Sequence, residues 1–305
     1  MTGWIAETLF ETTLLMALVL LLRHPVRRAF GARAAYLLWL APLLRLVMPP
    51  LPLPLPLEVP ATGWSIEVTA GAALPAAIAS NPAGATFYAA LTALWLAGAA
   101  IFLALHVARY RQFLRHALSG ARPVAEPAIA DAAVLESAGV TGPAATGLLV
   151  RRIFVPDNFS DRFAPEQRAL ALAHEALHHR RGDLWASAGA LVILSLHWWN
   201  PLAYFAHRAF RSDLEAACDA ELIARIGDGQ RHAYAQTLLR CIASPAPQPS
   251  CCLTNLAELK GRLTMLKLHH HPHRRTAGAL LASAVASSGL LLALPAIAQD
   301  KPPAA

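Results

Sequence analysis

The stretch "AHEALHHRRGD" at 173–183 carries the residues of this chain best suited to chemistry. On a helix, His174 and His178 project from one face with their Cβ atoms about 5–6 Å apart. Two imidazoles at that spacing can hold one metal ion, and Glu175 between them can act as a general base on a water molecule. His179 points about 100° away from that face, so we do not expect it to bind the metal.

A third metal ligand is predicted further along the chain. The stretch "FRSDLEAACDAELIAR" at 210–225 is predicted to be a helix on which Glu215 and Asp219 share a face. Glu215 would complete a set of two histidines and one glutamate, with a fourth position left for water, as in catalytic zinc sites. Asp219 would orient a ligand histidine through its other ring nitrogen.

Each motif by itself also has a plainer interpretation. Histidines can simply lie on a helix surface, and an acidic pair can form an ordinary solvated face. Together, the HExxH spacing and the later glutamate favour a site for one Zn²⁺ per chain, with Glu175 as the base of a metalloprotease.

The helix that carries the histidines has clear boundary signals. In "APEQRALALAHEALHHRR" at 164–181, Pro165 suits the first turn, Glu166 suits the positive end of the helix, and Gly182 suits its end. Ahead of it, "TGLLVRRIFVP" at 146–156 is rich in apolar and β-branched residues between Gly and Pro, which predicts a strand.

The composition indicates an integral membrane protein. The chain has 305 residues, 56% hydrophobic and only 15% charged, with a mean hydropathy of +0.42. Its net charge of +7 would suggest nucleic acid in a soluble protein. Arginines that flank membrane spans on the cytoplasmic side explain the charge better, so we expect no direct contact with nucleic acid. The four cysteines contain no CxxC pair and do not predict a disulfide framework.

Four apolar runs are long enough to cross a bilayer as helices. Arginines cluster in "RHPVRRAFGAR" at 23–33 and in "ARYRQFLRH" at 108–116. The positive-inside rule then places the N-terminus outside and these two arginine clusters in the cytoplasm. The predicted spans are 4–22, 34–51, 86–107 and 277–298. The predicted domains are a three-helix membrane region (1–107), a cytoplasmic-facing zinc domain (108–275), a C-terminal transmembrane helix (276–298) and an external tail (299–305).

The apolar stretch that follows the histidines is predicted to dip into the membrane and return. A single crossing by residues 184–207 would separate Glu215 from His174, and both flanks of the stretch are basic. The break at Asn200-Pro201 therefore predicts a re-entrant helical hairpin, with the metal site at the cytoplasmic face of the membrane.

At this point a family resemblance becomes visible. "HEALHHRRGD" and "HWWNPLAYFAHRAFRSDLEAACD" resemble the membrane metallopeptidases of the BlaR/MecR type, the β-lactam-sensing antirepressors, and the resemblance covers about residues 5–298. It implies a gluzincin-like zinc domain in which His174, His178 and Glu215 bind Zn²⁺. It also implies that Glu175 is the catalytic base and that Asp219 supports a ligand.

The resemblance extends to further positions. Asp183, Asn200, Arg211 and Asp213 fall on recurrent positions of the family pattern, and we expect Asp183 to lie behind the metal ligands. The segment "GPAATGLLVRRIFVP", which contains Arg152, is similar to the strand that precedes the family's zinc helix. In such proteases an edge strand pairs with the substrate backbone, so Arg152 is a candidate for substrate binding or support. Asn200 and Arg211 are candidates for the same roles because they fall on recurrent positions of the family pattern.

The expected fold is thus a mainly α integral membrane protein. It has about four transmembrane helices plus the re-entrant hairpin, and a cytoplasmic α+β gluzincin-like zinc domain. The expected function is a zinc endopeptidase of the bacterial inner membrane. It would cleave a cytoplasmic protein, with a transcriptional repressor as leading candidate, in response to an envelope signal. A membrane quality-control protease and a non-catalytic sensor or scaffold are the alternatives, and a homodimer is compatible with the sequence.

Two expectations concern the C-terminal part of the chain. Receptors of the BlaR/MecR type carry a large penicillin-binding sensor domain after the last span, whereas this chain stops at Ala305. We therefore expect no direct β-lactam binding. Family members cut themselves before the last helix, and Arg274-Arg275 is either such a cleavage region or a positive anchor of the following span.

Overall fold

The computed structural model describes residues 2–47, 82–124, 131–242 and Arg262. The predicted span 277–298, the tail 299–305 and Arg274-Arg275 lie outside the described residues. The helices are α1 (Thr2–Phe30), α2 (Ala32–Leu37), α3 (Leu40–Val47), α4 (Pro82–Leu118), α5 (Phe159–Arg162), α6 (Pro165–Arg181), α7 (Asp183–Leu196), α8 (Pro201–Ile226) and α9 (Arg231–Ile242).

Two of the described helices are long and apolar enough to cross a membrane. They are the stretches Ile5–Phe30 within α1 and Thr86–Leu118 within α4. Both continue past the predicted ends of the first and third spans, because the arginine-rich segments that follow those spans are also helical. A largely helical protein with two helices that are long and apolar enough to cross a membrane agrees with the membrane character that the composition predicted.

The predicted span 34–51 is not one continuous helix, which corrects the sequence-based expectation. The chain turns at Leu38-Trp39, between α2 and α3. Pro42 accounts for the break, because proline has no amide hydrogen to bond to the carbonyl of Leu38 and its ring crowds that carbonyl. Within the described residues, the predicted three-helix region 1–107 thus contains two long apolar helices and a broken segment between them.

A small mixed sheet precedes the helix that bears the histidines. Its strands are β1 (Arg122–Pro123), β2 (Ala133–Ser137), β3 (Ala144–Thr146) and β4 (Arg152–Pro156), in the order β1-β2-β4-β3. Strands β2 and β4 run parallel, and the other two pairs are antiparallel. Strand β3 therefore lies at one edge of the described sheet.

The predicted strand 146–156 is in fact parts of two strands joined by a tight turn. Gly147 has a φ of 86°, and a Cβ at this position would lie 1.9 Å from the carbonyl oxygen of Val150. Only glycine fits such a conformation, so the chain reverses here and returns as β4. The uniform apolar pattern of the segment concealed this reversal, because residues on both sides of the turn suit a strand.

Helix α6 has the boundaries that its sequence predicted, from Pro165 to Arg181, and Gly182 ends it in the left-handed conformation with a φ of 73°. One face of α6 packs on the sheet. The core between them consists of buried apolar side chains from β2, β4, α5 and α6, with a further contribution from the turn after α5: Val134, Ile153, Val155, Phe159, Phe163, Ala171, Leu172 and Ala176. This packing fixes α6 relative to the strands.

Helices α7 and α8 form a hairpin that packs beside both long apolar helices. Asn200 accepts a hydrogen bond from the amide of Leu202 at 3.0 Å and so caps α8. Its side-chain amide also donates to Thr13 of α1 at 3.0 Å. Trp95 of α4 donates to the carbonyl of Leu196 at 2.9 Å. The turn between α7 and α8 is thus held by both apolar helices, and its insertion into a membrane stays a prediction.

Candidate metal centre

The two histidines of the HExxH motif meet on the buried face of α6. The Nε2 atoms of His174 and His178 lie 3.1 Å apart. Their ring centroids are 4.7 Å apart, with the ring planes nearly perpendicular at 87°. Both side chains are buried. This is the arrangement in which two imidazoles at the i and i+4 positions of a helix can share one ion.

Glu215 of α8 faces both of these nitrogen atoms. Its Oε2 lies 3.4 Å from Nε2 of His174, and its Oε1 lies 3.7 Å from Nε2 of His178. In a tetrahedral zinc site with bonds of about 2.0–2.1 Å, neighbouring ligand atoms are separated by about 3.3 Å. The three side chains therefore fit around one ion without rearrangement of the helices.

Cys218, one turn beyond Glu215 on α8, offers a second possible set of donors. Its sulfur lies 3.7 Å from Nδ1 of His174, and the nearest donor atoms of Cys218, His174 and His178 all lie within 4.8 Å of one another. Burial by itself would raise the pKa of Cys218, but the two histidines lower it. We favour Glu215 as the ligand, because Nδ1 of His174 has other partners and Glu215 lies on the Nε2 side of both rings.

Asp183 lies behind His178 and fixes the orientation of its ring. Nδ1 of His178 lies 2.8 Å from Oδ2 of Asp183, and both residues are buried. Arg181 donates to both oxygens of Asp183, at 3.2 and 3.0 Å. Because the carboxylate accepts the Nδ1 proton, the lone pair of Nε2 is left for a metal.

The ring of His174 is oriented through an intermediary that the sequence did not reveal. The hydroxyl of Tyr234 on α9 lies 2.8 Å from Nδ1 of His174 and donates to Oδ1 of Asp219 at 2.6 Å. The direct separation between Asp219 and Nδ1 of His174 is 3.5 Å. Asp219 therefore lies behind the ligands, as predicted, but it reaches His174 mainly through Tyr234.

Arg262 is a second residue that sequence patterns missed. Its Nε and Nη2 atoms each donate to Asp219 at 2.7 Å, and its Nη1 lies 3.4 Å from Oε2 of Glu215. Burial by itself would lower the pKa of Arg262, but Asp219 and Glu215 raise it well above the usual value. The arginine compensates the charge of two neighbouring carboxylates, in the bidentate geometry that guanidinium groups favour.

Electrostatically, the site is suited to a cation. Burial by itself would lower the pKa of His174, but Cys218 and Glu215 raise it to about 10. The pKa of His178 is raised well above its usual value despite burial, through Cys218, Glu215 and Asp183. Burial would raise the pKa of Glu215, but His178, Arg262 and His174 hold it well below its usual range. A metal ion would take the place of the protons on the two histidines.

Glu175 connects this site to the edge of the sheet. Its Oε2 accepts a hydrogen bond from the backbone amide of Ala145 on β3 at 2.6 Å. The carboxylate expected to act as the base therefore lies between the helix that bears His174 and the edge strand.

Four further residues were singled out from the sequence: His179, Arg152, Arg211 and Asn200. His179 contacts the carbonyl oxygen of Arg152 at 3.1 Å, which ties α6 to β4. Strand β4 pairs with β2 on one side and with β3 on the other, so Arg152 does not lie on an open edge of the sheet. Arg211 lies on α8 one turn before Glu215. Asn200 caps the N-terminal end of α8, about 22 Å from Glu215 at ~1.5 Å per residue.

Comparison with known proteins agrees with this description. The family model described as "BlaR1 peptidase M56" matches residues 5–266. The chain therefore belongs to this family of membrane-bound metallopeptidases. It is also similar to the Regulatory protein BlaR1 of Bacillus licheniformis, with 21% identity over 101 residues, which are 33% of this chain and 17% of that protein.

Proposed function

We propose that this protein is a zinc-dependent membrane endopeptidase of the signal-transducing antirepressor type. The main support is the convergence of His174, His178 and Glu215, whose donor atoms are 3.1, 3.4 and 3.7 Å apart. Two imidazoles and one carboxylate at tetrahedral spacing suit zinc, and a set of three protein ligands leaves the fourth position for substrate chemistry.

When bound, zinc would polarise the scissile carbonyl and lower the pKa of a water molecule. Glu175 is the group of this chain that would take the proton from that water and deliver it to the leaving amine. Its hydrogen bond with Ala145 holds the carboxylate on the substrate side of α6. His178 and His174 keep their ligand nitrogens exposed to the site because Asp183 and Tyr234 engage the opposite ring nitrogens.

Strand β3 is the element that would hold an extended substrate. It lies at the edge of the described sheet, and the amide of Ala145 bonds to Glu175 rather than to β4. A peptide that adds to this edge would lay its backbone alongside the proposed base and ligands, which is the strand-addition mode of recognition. The carbonyl groups of the bound peptide would compete with Glu175 for the amide of Ala145, so substrate binding would free the carboxylate of Glu175.

The proposed substrate is a cytoplasmic protein, with a transcriptional repressor as leading candidate, cut in response to a signal from the envelope. The family and the regulatory name of the relative support this assignment. In this proposal the protein is a multi-pass protein of the bacterial inner membrane, with both termini outside and the zinc site at the cytoplasmic face. The chain could act alone or as a homodimer.

Two other functions share this architecture. A quality-control protease would use the same site on many misfolded membrane proteins. A non-catalytic sensor or scaffold would have no use for a base at position 175, so the presence of Glu175 beside the site favours an enzyme.

Comparison of Glu175→Gln with the wild type tests the proposal. The substitution keeps the size of the side chain and removes only the base. We expect purified Glu175→Gln to retain zinc while proteolysis falls about 10²–10⁴-fold. New N-termini of cytoplasmic proteins, compared by mass spectrometry in the two strains, would identify the substrate. One dominant substrate supports the antirepressor function, many substrates support quality control, and wild-type cleavage by the variant would exclude the proposed mechanism.

A further inference from the structure

The turn between β3 and β4 exposes three apolar residues in succession. Leu148, Leu149 and Val150 are 38%, 86% and 58% exposed. Their backbone is held by the tight conformation at Gly147, so the exposed side chains stand on a fixed turn. A contiguous apolar patch of this kind marks a surface that contacts another apolar phase or partner.

The position of this turn is set by one of the apolar helices. The amide of Gly147 donates to the hydroxyl of Tyr110 at 3.1 Å. Tyr110 lies just after the predicted span 86–107, between Arg109 and Arg111. Tyrosine flanked by arginines at the end of such a helix is typical of the membrane–water interface. The turn therefore lies at the depth where a bilayer that surrounds α4 would end.

A tryptophan lies close to this turn. Trp185, in the first turn of α7, is 56% exposed, and it lines the same cavity of about 240 Å³ as Leu148. Tryptophan is enriched at the level of lipid headgroups. The same cavity is lined by His178, so the patch borders the proposed metal centre.

The charges around the patch favour an anionic surface. Arg151 and Arg180 are exposed and line the same cavity. Basic residues that surround exposed apolar side chains are the combination with which proteins bind membranes that contain anionic lipids.

We propose that Leu148, Leu149, Val150 and Trp185 insert into the leaflet on the zinc-domain side, while Arg151 and Arg180 bind anionic headgroups. We name this surface the lipid patch. A bilayer is favoured over a second protein because the patch continues the interface level that Tyr110 marks on α4. Since the lipid patch begins directly after β3, it would hold the proposed substrate edge at a fixed height above the membrane. This inference does not depend on proteolysis.

A nitroxide spin label attached at Leu149→Cys tests the lipid patch in the full chain. Cys241, Cys251 and Cys252 would be replaced by serine, buried Cys218 would be retained, and a chain without an introduced cysteine would serve as the labelling blank. The protein would be placed in vesicles of phosphatidylethanolamine and phosphatidylglycerol. Collisions with oxygen, which concentrates in lipid, and with a water-soluble nickel complex would be measured. Asp157→Cys, at an exposed position just past β4, is the matched control.

We expect the label at 149 to collide more with oxygen than with nickel, and the label at 157 to show the reverse. Equal nickel access at the two positions would overturn the proposal. Low access to both reagents at 149 would also overturn it, because that result indicates burial against protein, such as a second copy of this chain.

The contribution of the arginines is tested separately with the same label. In vesicles of phosphatidylcholine alone, the oxygen preference at 149 should fall. In the anionic vesicles, the double substitution Arg151→Gln and Arg180→Gln should lower the oxygen preference at 149 to the value measured in phosphatidylcholine. An oxygen preference that depends on neither headgroup nor arginine would remove the headgroup part of the proposal.

Discussion

Arg23 of α1 donates two hydrogen bonds to Asp213 of α8, at 2.8 and 2.9 Å, although the two residues are distant in sequence. Asp213 is fully buried, and Trp39 donates to the same carboxylate at 3.0 Å. Glu215 lies on the same helix within one turn of Asp213. The first apolar helix is thus joined directly to the helix that carries the proposed third ligand.

Asp213→Ala should therefore destabilise the protein strongly. The substitution leaves the guanidinium of Arg23 and the indole N–H of Trp39 without their acceptor in a buried place, and loss of one partner of a buried ion pair costs about 3–5 kcal/mol. Thermal unfolding in detergent, with Asp157→Ala as an exposed control, would measure the effect. If both variants unfold at the wild-type temperature, the ion pair does not hold α1 to α8.

The metal content of single variants should distinguish the two possible sets of ligands. His174→Ala, His178→Ala and Glu215→Ala should each lose the metal, because three protein ligands are the minimum of a catalytic zinc site. His179→Ala and Cys218→Ser should retain about one zinc per chain, as measured by elemental analysis of the purified protein. Loss of zinc in Cys218→Ser with retention in Glu215→Ala would replace Glu215 by Cys218 in the ligand set.

Tyr234→Phe should weaken metal binding without a change in the ligands themselves. It removes only the hydroxyl that lies 2.8 Å from Nδ1 of His174 and 2.6 Å from Asp219. Loss of such an outer partner typically lowers metal affinity about 10–100-fold. Competition with a fluorescent zinc chelator would measure the change. Tyr204→Phe is the control, since its hydroxyl bonds to the carbonyl of Trp198 in the α7–α8 hairpin, away from the metal centre.

The hairpin of α7 and α8 should leave both of its ends on the same side of the membrane. Cysteines that replace Arg180 and Arg208 should both react with an impermeant maleimide in inverted vesicles and not in right-side-out vesicles. This result is required if His174 and Glu215 bind one ion, because His174 lies before the apolar stretch 184–207 and Glu215 lies after it. Labelling of the two cysteines from opposite sides would exclude the re-entrant arrangement.

The sequence alone determined the local features of this protein. The boundaries of α6 followed from Pro165 and Gly182, and the pairing of His174 with His178 followed from the helical repeat, because both depend only on residues within a few turns. The membrane character followed from composition, since an apolar chain of this kind cannot cover its surface with polar groups. Glu215 could be proposed as a ligand because it shares a helix face with Asp219 and would complete the set begun by the HExxH histidines, and the family resemblance implied the same role.

Only the tertiary structure decided which distant residues complete the site. Tyr234, Arg262 and the Arg23–Asp213 pair carry no spacing signal, because α9, Arg262 and α1 approach the centre through packing rather than through a helical repeat. The division of 146–156 between two strands was likewise hidden, since the conformation of Gly147 depends on the carbonyl of Val150 that it approaches. Periodicity describes how one element presents its faces, whereas the partners of each face are set by the packing of whole elements.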